Sequence, residues 1–351
     1  MGLQTGQIYC LDGSIEKASL GGTWVAFTHP SMELLPGTYK FVFKDGSSQL
    51  IEMVAGEVVY VPSTLDTTPP TTTVSLSGTL GENGWYTSDV TVTLTATDDE
   101  GGSGVKEIHY ILDGGEEVVS GNSASFTISD EGVYTLEYWA VDNAGNEEEH
   151  NTLEIKIDKT PPVVEITVPA DGGVYLLNQE VYADWSVTDD LSGVAFAEGT
   201  VASGETVDTS TVGERTFTVT ATDLAGNKAE VTVTYHVEYG FNGLLPPYKK
   251  PPKTFKVGRS IPLKWRYTDY DGKTVDSALA DPCIEIRYGS EDGELIEVDD
   301  PGASGLRYDP KTMTWHFNWK TKGLAPGVYY IYIKSSQTGQ TDGPFQIQLR
   351  K

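Results

Sequence analysis

The feature that most constrains this chain is internal repetition. "LDTTPPTTTVSLSG" at 65–78 returns as "IDKTPPVVEITVPA" at 157–170, "TATDDEGGSGV" at 95–105 as "SVTDDLSGV" at 186–194, and "VDNAGN" before Glu147 as "TDLAGN" before Lys228. Three landmarks in one order, at nearly one spacing, mark two copies of a single domain, assigned to 65–158 and 159–240. Between the landmarks, "DVTVTLTATD", "VKEIHYIL", "SASFTIS" and "VYTLEYWAVD" alternate with period 2 and are separated by Gly, Asn and Asp. Several such strands in fewer than a hundred residues predict an immunoglobulin-like β-sandwich. The paired prolines at 69–70 and 161–162 lack N–H groups and fix φ, which suits a stiff boundary or a strand start.

The flanks read the same way. "LPGTYKFVF" (35–43) and "APGVYYIYI" (325–333) share a Pro-Gly-x-Tyr entry into an alternating strand. Residues 1–64 form a small β domain, short enough that a neighbour could supply a missing strand. Residues 241–351 form a C-terminal sandwich behind the stretch "GLLPPYKKPPKTFKVG", whose polyproline preference predicts an extended linker. The fold class expected is all-β, with tandem immunoglobulin-like sandwiches strung as semi-rigid beads.

Charge and cysteine content narrow the function. Residues 1–244 carry 38 acidic against 8 basic residues, and 245–351 carry 13 against 16. An acidic body repels phosphate, so nucleic acid is not an expected partner. No apolar run reaches the ~20 residues of a membrane-crossing helix, and "MGLQTGQIYC" has neither the basic nor the apolar part of a signal peptide. Cys10 and Cys283 stand far apart with no Cys/His cluster, which argues against structural zinc and reads as two unpaired thiols.

Four kinds of chemistry can be weighed. Calcium takes oxygens from Asp/Asn-rich turns, which makes Asp98, Asp99, Glu100, Asp142, Asn143 and Asn146 of the first copy candidates, with Asp189, Asp190, Asp223 and Asn227 of the second. The plainer reading, a repeated tight turn that uses the same residue types, ranks ahead of it. "TDYDGKTVDS" and "SEDGE" lack the later ligands of a calcium loop and read as turns. For glycan contact, Trp315, Phe317 and Trp319 share one strand face, Tyr330 and Tyr332 another, and Trp85 and Tyr86 precede a strand; aromatics alternating in a strand more often fill a core. Trp139 and Trp185, inside strands, are expected in the core. The linker's Lys249, Lys250, Lys253 and Lys256 read as solvated charge. Catalytic motifs are absent and His29, His109, His150, His236 and His316 are scattered, so no enzyme is expected.

The Asp-x-Thr-Pro-Pro opening, "NGWYTSDVTVTLTATDDEGGSGVKEIHYILDGG" and the Asp-x-Ala-Gly-Asn close resemble the bacterial extracellular Ig-like repeat of the OmpL47 type. The second copy lacks the Asn-Gly-Trp-Tyr stretch. "PPYKKPPKTFKVGRSIPLKWRYTD" resembles the start of a PxKF-type module. The resemblance implies secretion to the cell surface and a non-catalytic role: a stalk, surface-layer, adhesin or filament segment facing a surface protein, a glycan or another copy of itself. The competing reading is an accessory carbohydrate-binding segment of a secreted glycan-active enzyme.

Overall fold

The computed structural model describes residues 66–248, 253–299 and 305–351 and, within the first 65, seven strands. The chain is all-β; among the described residues one 3-10 turn, Ala278–Ala280, is the single helical element. Among the described residues no helix is long and apolar enough to cross a membrane. The chain divides into two compact units, Met1–Lys159 and Thr160–Lys351.

The first unit opens with β1 (Gly6–Tyr9), β2 (Ile15–Leu20), β3 (Thr23–Ala26), β4 (Ser31–Leu34), β5 (Gly37–Phe43), β6 (Ser48–Met53) and β7 (Val58–Tyr60). They form sheets ordered β4-β1-β7 and β3-β2-β5-β6. Cys10 lies outside the described residues.

The first repeat follows as β8 (Thr71–Ser77), β9 (Trp85–Tyr86), β10 (Val90–Thr97), β11 (Val105–Leu112), β12 (Gly115–Ser120), β13 (Ser123–Ile128), β14 (Gly132–Asp142) and β15 (Asn151–Ile157). Its sheets are β13-β10-β8 and β12-β11-β14-β15-β9. Period-2 alternation sends Val90, Val92 and Leu94 of β10 and Leu136, Tyr138 and Ala140 of β14 into one core. Parity therefore turns Trp139 to the outer face. It is nevertheless buried, because His109 and His150 stack on its indole at 5.0 and 3.7 Å between centroids. Trp139 is thus covered by imidazoles instead of lying in the sandwich core.

The second unit holds β16 (Val163–Val168), β17 (Gly173–Leu176), β18 (Asp184–Thr188), β19 (Val194–Gly199), β20 (Gly213–Asp223) and β21 (Lys228–Glu238) of the second repeat. These form a β16-β18 pair facing a β17-β21-β20-β19 sheet. Then come β22 (Gly240–Phe241), β23 (Lys253–Lys256), β24 (Ser260–Trp265), β25 (Tyr267–Thr268), β26 (Pro282–Tyr288), β27 (Glu294–Asp299), β28 (Arg307–Asp309), β29 (Thr314–Lys320), β30 (Gly327–Ser335) and β31 (Thr341–Arg350). The last sandwich pairs β23-β31-β30-β26-β27 with β24-β29-β28.

The expected extended linker differs from what is found. Leu244 and Tyr248 are buried, and one continuous apolar cluster runs from Phe217 and Tyr235 of the second repeat to Trp265 and Trp319 of the last sandwich. Gln340 Nε2 donates to the Tyr239 carbonyl at 2.9 Å, and β22 pairs with β25. Two apolar anchors flanking Pro246–Pro247 outweigh the local preference for an open chain. Lys249 and Lys250 lie outside the described residues.

One pairing recurs in all four strand blocks. A strand from the start of each block pairs parallel with the last strand of that block: β1 with β7, β9 with β15, β17 with β21, and β23 with β31.

Candidate functional site

The acidic corner of the first repeat is assembled by two strand ends and the segment that leads into β8. β14 ends in Asp142, which is fully buried. Its Oδ1 accepts the Asn146 N–H at 2.8 Å, and its Oδ2 accepts Asn146 Nδ2–H at 2.7 Å. The Asp-x-Ala-Gly-Asn segment is therefore a turn tied by its own first residue, with Gly145 at φ 91°. β10 runs into Asp98, whose Oδ2 accepts the Gly104 N–H at 2.6 Å and whose Oδ1 accepts the Asp99 N–H at 2.9 Å. The third member was not singled out from the sequence. Asp66, in the Asp-x-Thr-Pro-Pro opening, takes the Ser103 N–H at 2.7 Å and the Thr68 N–H at 3.1 Å. Its carbonyl accepts Asn146 Nδ2–H at 3.1 Å. The signal was present, since the opening repeats with its aspartate at 66 and 158.

One carboxylate oxygen from each of Asp66, Asp98 and Asp142 lies within 4.8 Å of the other two. At an effective dielectric of 20, each such pair repels by about 3 kcal/mol. Six N–H donations from Ser103, Thr68, Gly104, Asp99 and Asn146 offset part of this. Among the described residues no Lys, Arg or His side chain forms an ion pair with the three. The Ser103 and Thr68 N–H groups hold the Asp66 carboxyl below the usual carboxylate range. Partial desolvation, with the Asp66 charge second, pushes Asp99 up. Hard oxygens converging without a counter-cation are the donor set that Ca²⁺ takes. Asp66, Asp98 and Asp142 are the residues that can hold one, with exposed Asp99 at the rim. Gly102 floors the corner, since a Cβ there would meet Asp98 Oδ2 at 2.7 Å and Asp99 Oδ1 at 2.8 Å.

In the second repeat, buried Asp223 ties Asn227 by the same two bonds, at 2.8 and 2.9 Å. Asp189 Oδ1 accepts the Gly193 N–H at 2.6 Å and has an oxygen within 4.8 Å of one on Asp223. Asp190 is exposed and outside this pair. The turn at Asp269 closes on Lys273, whose N–H reaches Asp269 Oδ1 at 2.9 Å, as a hairpin turn would.

The aromatic candidates fare differently. Trp315 (4% exposed), Phe317 and Trp319 (0%) fill the last sandwich, and Trp85 is buried beneath Lys156. Tyr86 is half-buried against the first repeat's core. The strand face carrying the tryptophans is the core face, so Trp85, Trp315 and Trp319 present no ring to a sugar. Tyr330 and Tyr332 alternate with buried Tyr329, Ile331 and Ile333, which turns them outward beside Glu285. There Arg287 Nε and Lys334 Nζ each donate to Glu285 at 2.5 Å.

No family model matches the chain, and no curated protein matches it. Solved structures to which the chain aligns include Sidekick-1 immunoglobulin domains 1–5, at 12% identity over 99% of this chain and 77% of that one, TM-score 0.31. A tetra-tandem repeat in the extending region of a large adhesion protein aligns at 14% identity over 98% and 97%, TM-score 0.32. Fibronectin(III)-like modules of Clostridium thermocellum CbhA align at 17% over 47% and 94%, TM-score 0.23. Likeness at this level says nothing about function.

Proposed function

We propose that the chain is a non-catalytic, extracellular spacer segment of a bacterial surface protein, built to stay folded under tension and stiffened by calcium at its acidic corners. The observation that carries this reading is the recurrent parallel pairing of an early strand with the last strand of each block. When a sandwich is pulled by its two ends, a parallel pair between an early strand and the last one slides in shear, so the bonds of the patch share the load; in the two repeats β8 and β16 lie ahead of that pair. In an antiparallel hairpin pulled at its open end, the bonds instead break one at a time. Forced unfolding is governed by the unfolding barrier, and loading bonds together raises that barrier. A cation joining Asp66, before the first strand, to Asp142, at the end of β14, would tie the entry of the first repeat to its exit hairpin. The OmpL47-type and PxKF-type resemblances agree with this reading, and so does the acidic body, which keeps such a chain soluble.

Single-molecule stretching tests it. Pulled through its ends, the first repeat should unfold in one event, at a higher force than when pulled across the β14–β15 hairpin, and that force should fall in chelator. Equal forces in the two directions would overturn the reading.

Outward-facing Tyr330 and Tyr332, beside the Glu285–Arg287–Lys334 cluster, favour a second reading, contact with a glycan. Retention on insoluble polysaccharide that Tyr332→Ala abolishes would support it; no retention by the unaltered chain would end it.

A further inference from the structure

Two eleven-residue strands match between the repeats: β14 runs from Gly132 to Asp142, and β20 from Gly213 to Asp223. Aligned so, Tyr134 of the first repeat stands where the second has Arg215. Their cross-strand partners on the last strand are Ile155 and Tyr235. Tyr134 packs on its core and donates its hydroxyl to the Asp130 carbonyl at 3.0 Å. Parity sends Arg215 the same way, to the face of buried Phe217 and Val219. A guanidinium therefore holds an inward position that this fold can fill with an aromatic ring.

Around it lies a cleft of about 750 Å³, within the roughly 300–1,000 Å³ of small-ligand pockets. Its lining sets three carboxylates, Glu180, Asp208 and Glu214, against one cation, Arg215, and adds the amide of Asn178 and apolar Val201. Arg215 is short of acceptors there. Its Nη2 reaches the Thr211 carbonyl at 3.4 Å, and Nη1 stands 3.7 Å from Asp208 Oδ2. Its Nε–H is buried with no hydrogen-bond partner among the described residues. Free backbone faces the same cleft. Thr218 accepts the Thr200 N–H at 2.8 Å and donates to Thr200 Oγ1 at 2.9 Å, so its backbone groups point away from β21. Thr216, two residues back, points the same way. Its opposite residue Thr234 agrees, giving its N–H to Asp171 and its carbonyl to Gly172. β19 ends at Gly199, so the Thr216 N–H and carbonyl meet no strand and give onto the cleft.

We propose that this cleft of the second repeat binds one neutral saccharide unit, with Arg215 and the Thr216 N–H donating to its hydroxyls and Glu180 and Asp208 accepting from them. The charges select that class. An anionic ligand meets three carboxylates, a cationic one meets the guanidinium, and an apolar one strands both. A hydroxyl donates and accepts at once, so adjacent hydroxyls satisfy guanidinium and carboxylate together while the ligand carries no charge to desolvate. The C–H face of the ring then has Val201 to lie on. A peptide strand fits less well, because Thr216 offers it a single backbone pair while the charged groups stay unanswered. This goes beyond the spacer reading and does not depend on it, and its residues are separate from Tyr330 and Tyr332.

Titration of the full chain with free glucose, galactose, mannose and N-acetylglucosamine to about 100 mM, read by NMR, tests it. Glucuronate, glucosamine and a capped neutral dipeptide probe the other classes. At least one neutral sugar should saturate with a Kd of roughly 1–10 mM and shift the Thr216 amide and Arg215 Nε–H signals. Arg215→Tyr, which installs the first repeat's residue, should keep the melting transition and weaken binding at least roughly tenfold. Arg215→Lys, which keeps the charge and loses the planar fork, should weaken it as well. If Arg215→Tyr fails to fold, the shifts at Thr216 in the unaltered chain decide alone. Saturation by none of the neutral sugars overturns the proposal, as do shifts that spare Thr216, tighter binding of a charged probe or of the dipeptide, or a folded Arg215→Tyr variant that binds equally.

Discussion

Replacing Asp142 by alanine probes what the acidic corner does for the first repeat. The change removes the two bonds that Asp142 accepts from Asn146, at 2.8 Å from its N–H and 2.7 Å from its side-chain amide. Stranding a buried donor costs about 1–3 kcal/mol. The amide retains the Asp66 carbonyl at 3.1 Å, so its loss is partial and the N–H loss dominates. Relief of carboxylate repulsion works the other way, but only where no cation already neutralises the corner. In calcium the net cost should be about 2–4 kcal/mol, or roughly 10–25 °C in the melting transition of a domain this size. In chelator it should be smaller. Calorimetry reads the transition, and amide exchange reads the Asn146 N–H, which should lose protection ahead of the β14 amides. Asp223→Ala removes the same pair of bonds at 2.8 and 2.9 Å and should cost a similar amount. A loss below about 1 kcal/mol for Asp142→Ala would refute the idea that the carboxylate holds the turn.

Other expectations follow from individual groups. Glu137, and then Glu147, raise the His150 pKa at the exposed end of the Trp139 stack. Its contribution is complete below the free imidazole value near ~6.5 and fades as pH rises through the higher folded value, so the first repeat should lose stability on that side of neutrality. Proton NMR should find the midpoint above the free value, and His150→Gln should flatten the slope. Burial pushes Asp342 up to about 6, with Glu238 adding to it. The second unit should therefore lose stability as pH rises from the unfolded carboxylate range through that value. After allowance for partial exposure, Asp342→Asn should restore about 1–2 kcal/mol at neutral pH, measured by denaturant unfolding. Trp315 is buried against Trp265 and Tyr308, and its Nε1–H reaches Ser277 Oγ at 3.2 Å. Trp315→Ala should cost about 3–5 kcal/mol by the same measurement, because it fills a core.

Repetition and alternation made the sandwiches legible, because a period of two and a Gly/Asn turn are local properties. Which alternate face is the core is not local; for Trp315 and Trp319 the core reading that ranked first is the one the fold shows, and the sugar-contact alternative falls, because their partners Trp265 and Ile261 come from β24, some fifty residues away. Trp139 shows the converse, an outward position that is buried because His109 and His150 arrive from elsewhere to cover it. Asp98 and Asp142 were visible as acidic turns. Asp66 was overlooked because it precedes the first strand of its repeat, and only the fold brings it to Ser103 and Asn146. The Pro/Lys stretch was misjudged because its prolines speak for an open chain, while Leu244 and Tyr248 answer to a core that the linker's own sequence does not display.

The most direct test of the calcium-stiffened spacer is a calorimetric calcium titration of the unaltered chain, set against Asp66→Asn. The account predicts saturable binding, a first-repeat transition that moves up with calcium, and loss of both in the variant. No heat of binding, together with an Asp66→Asn variant more stable than the unaltered chain at every calcium concentration, would contradict it.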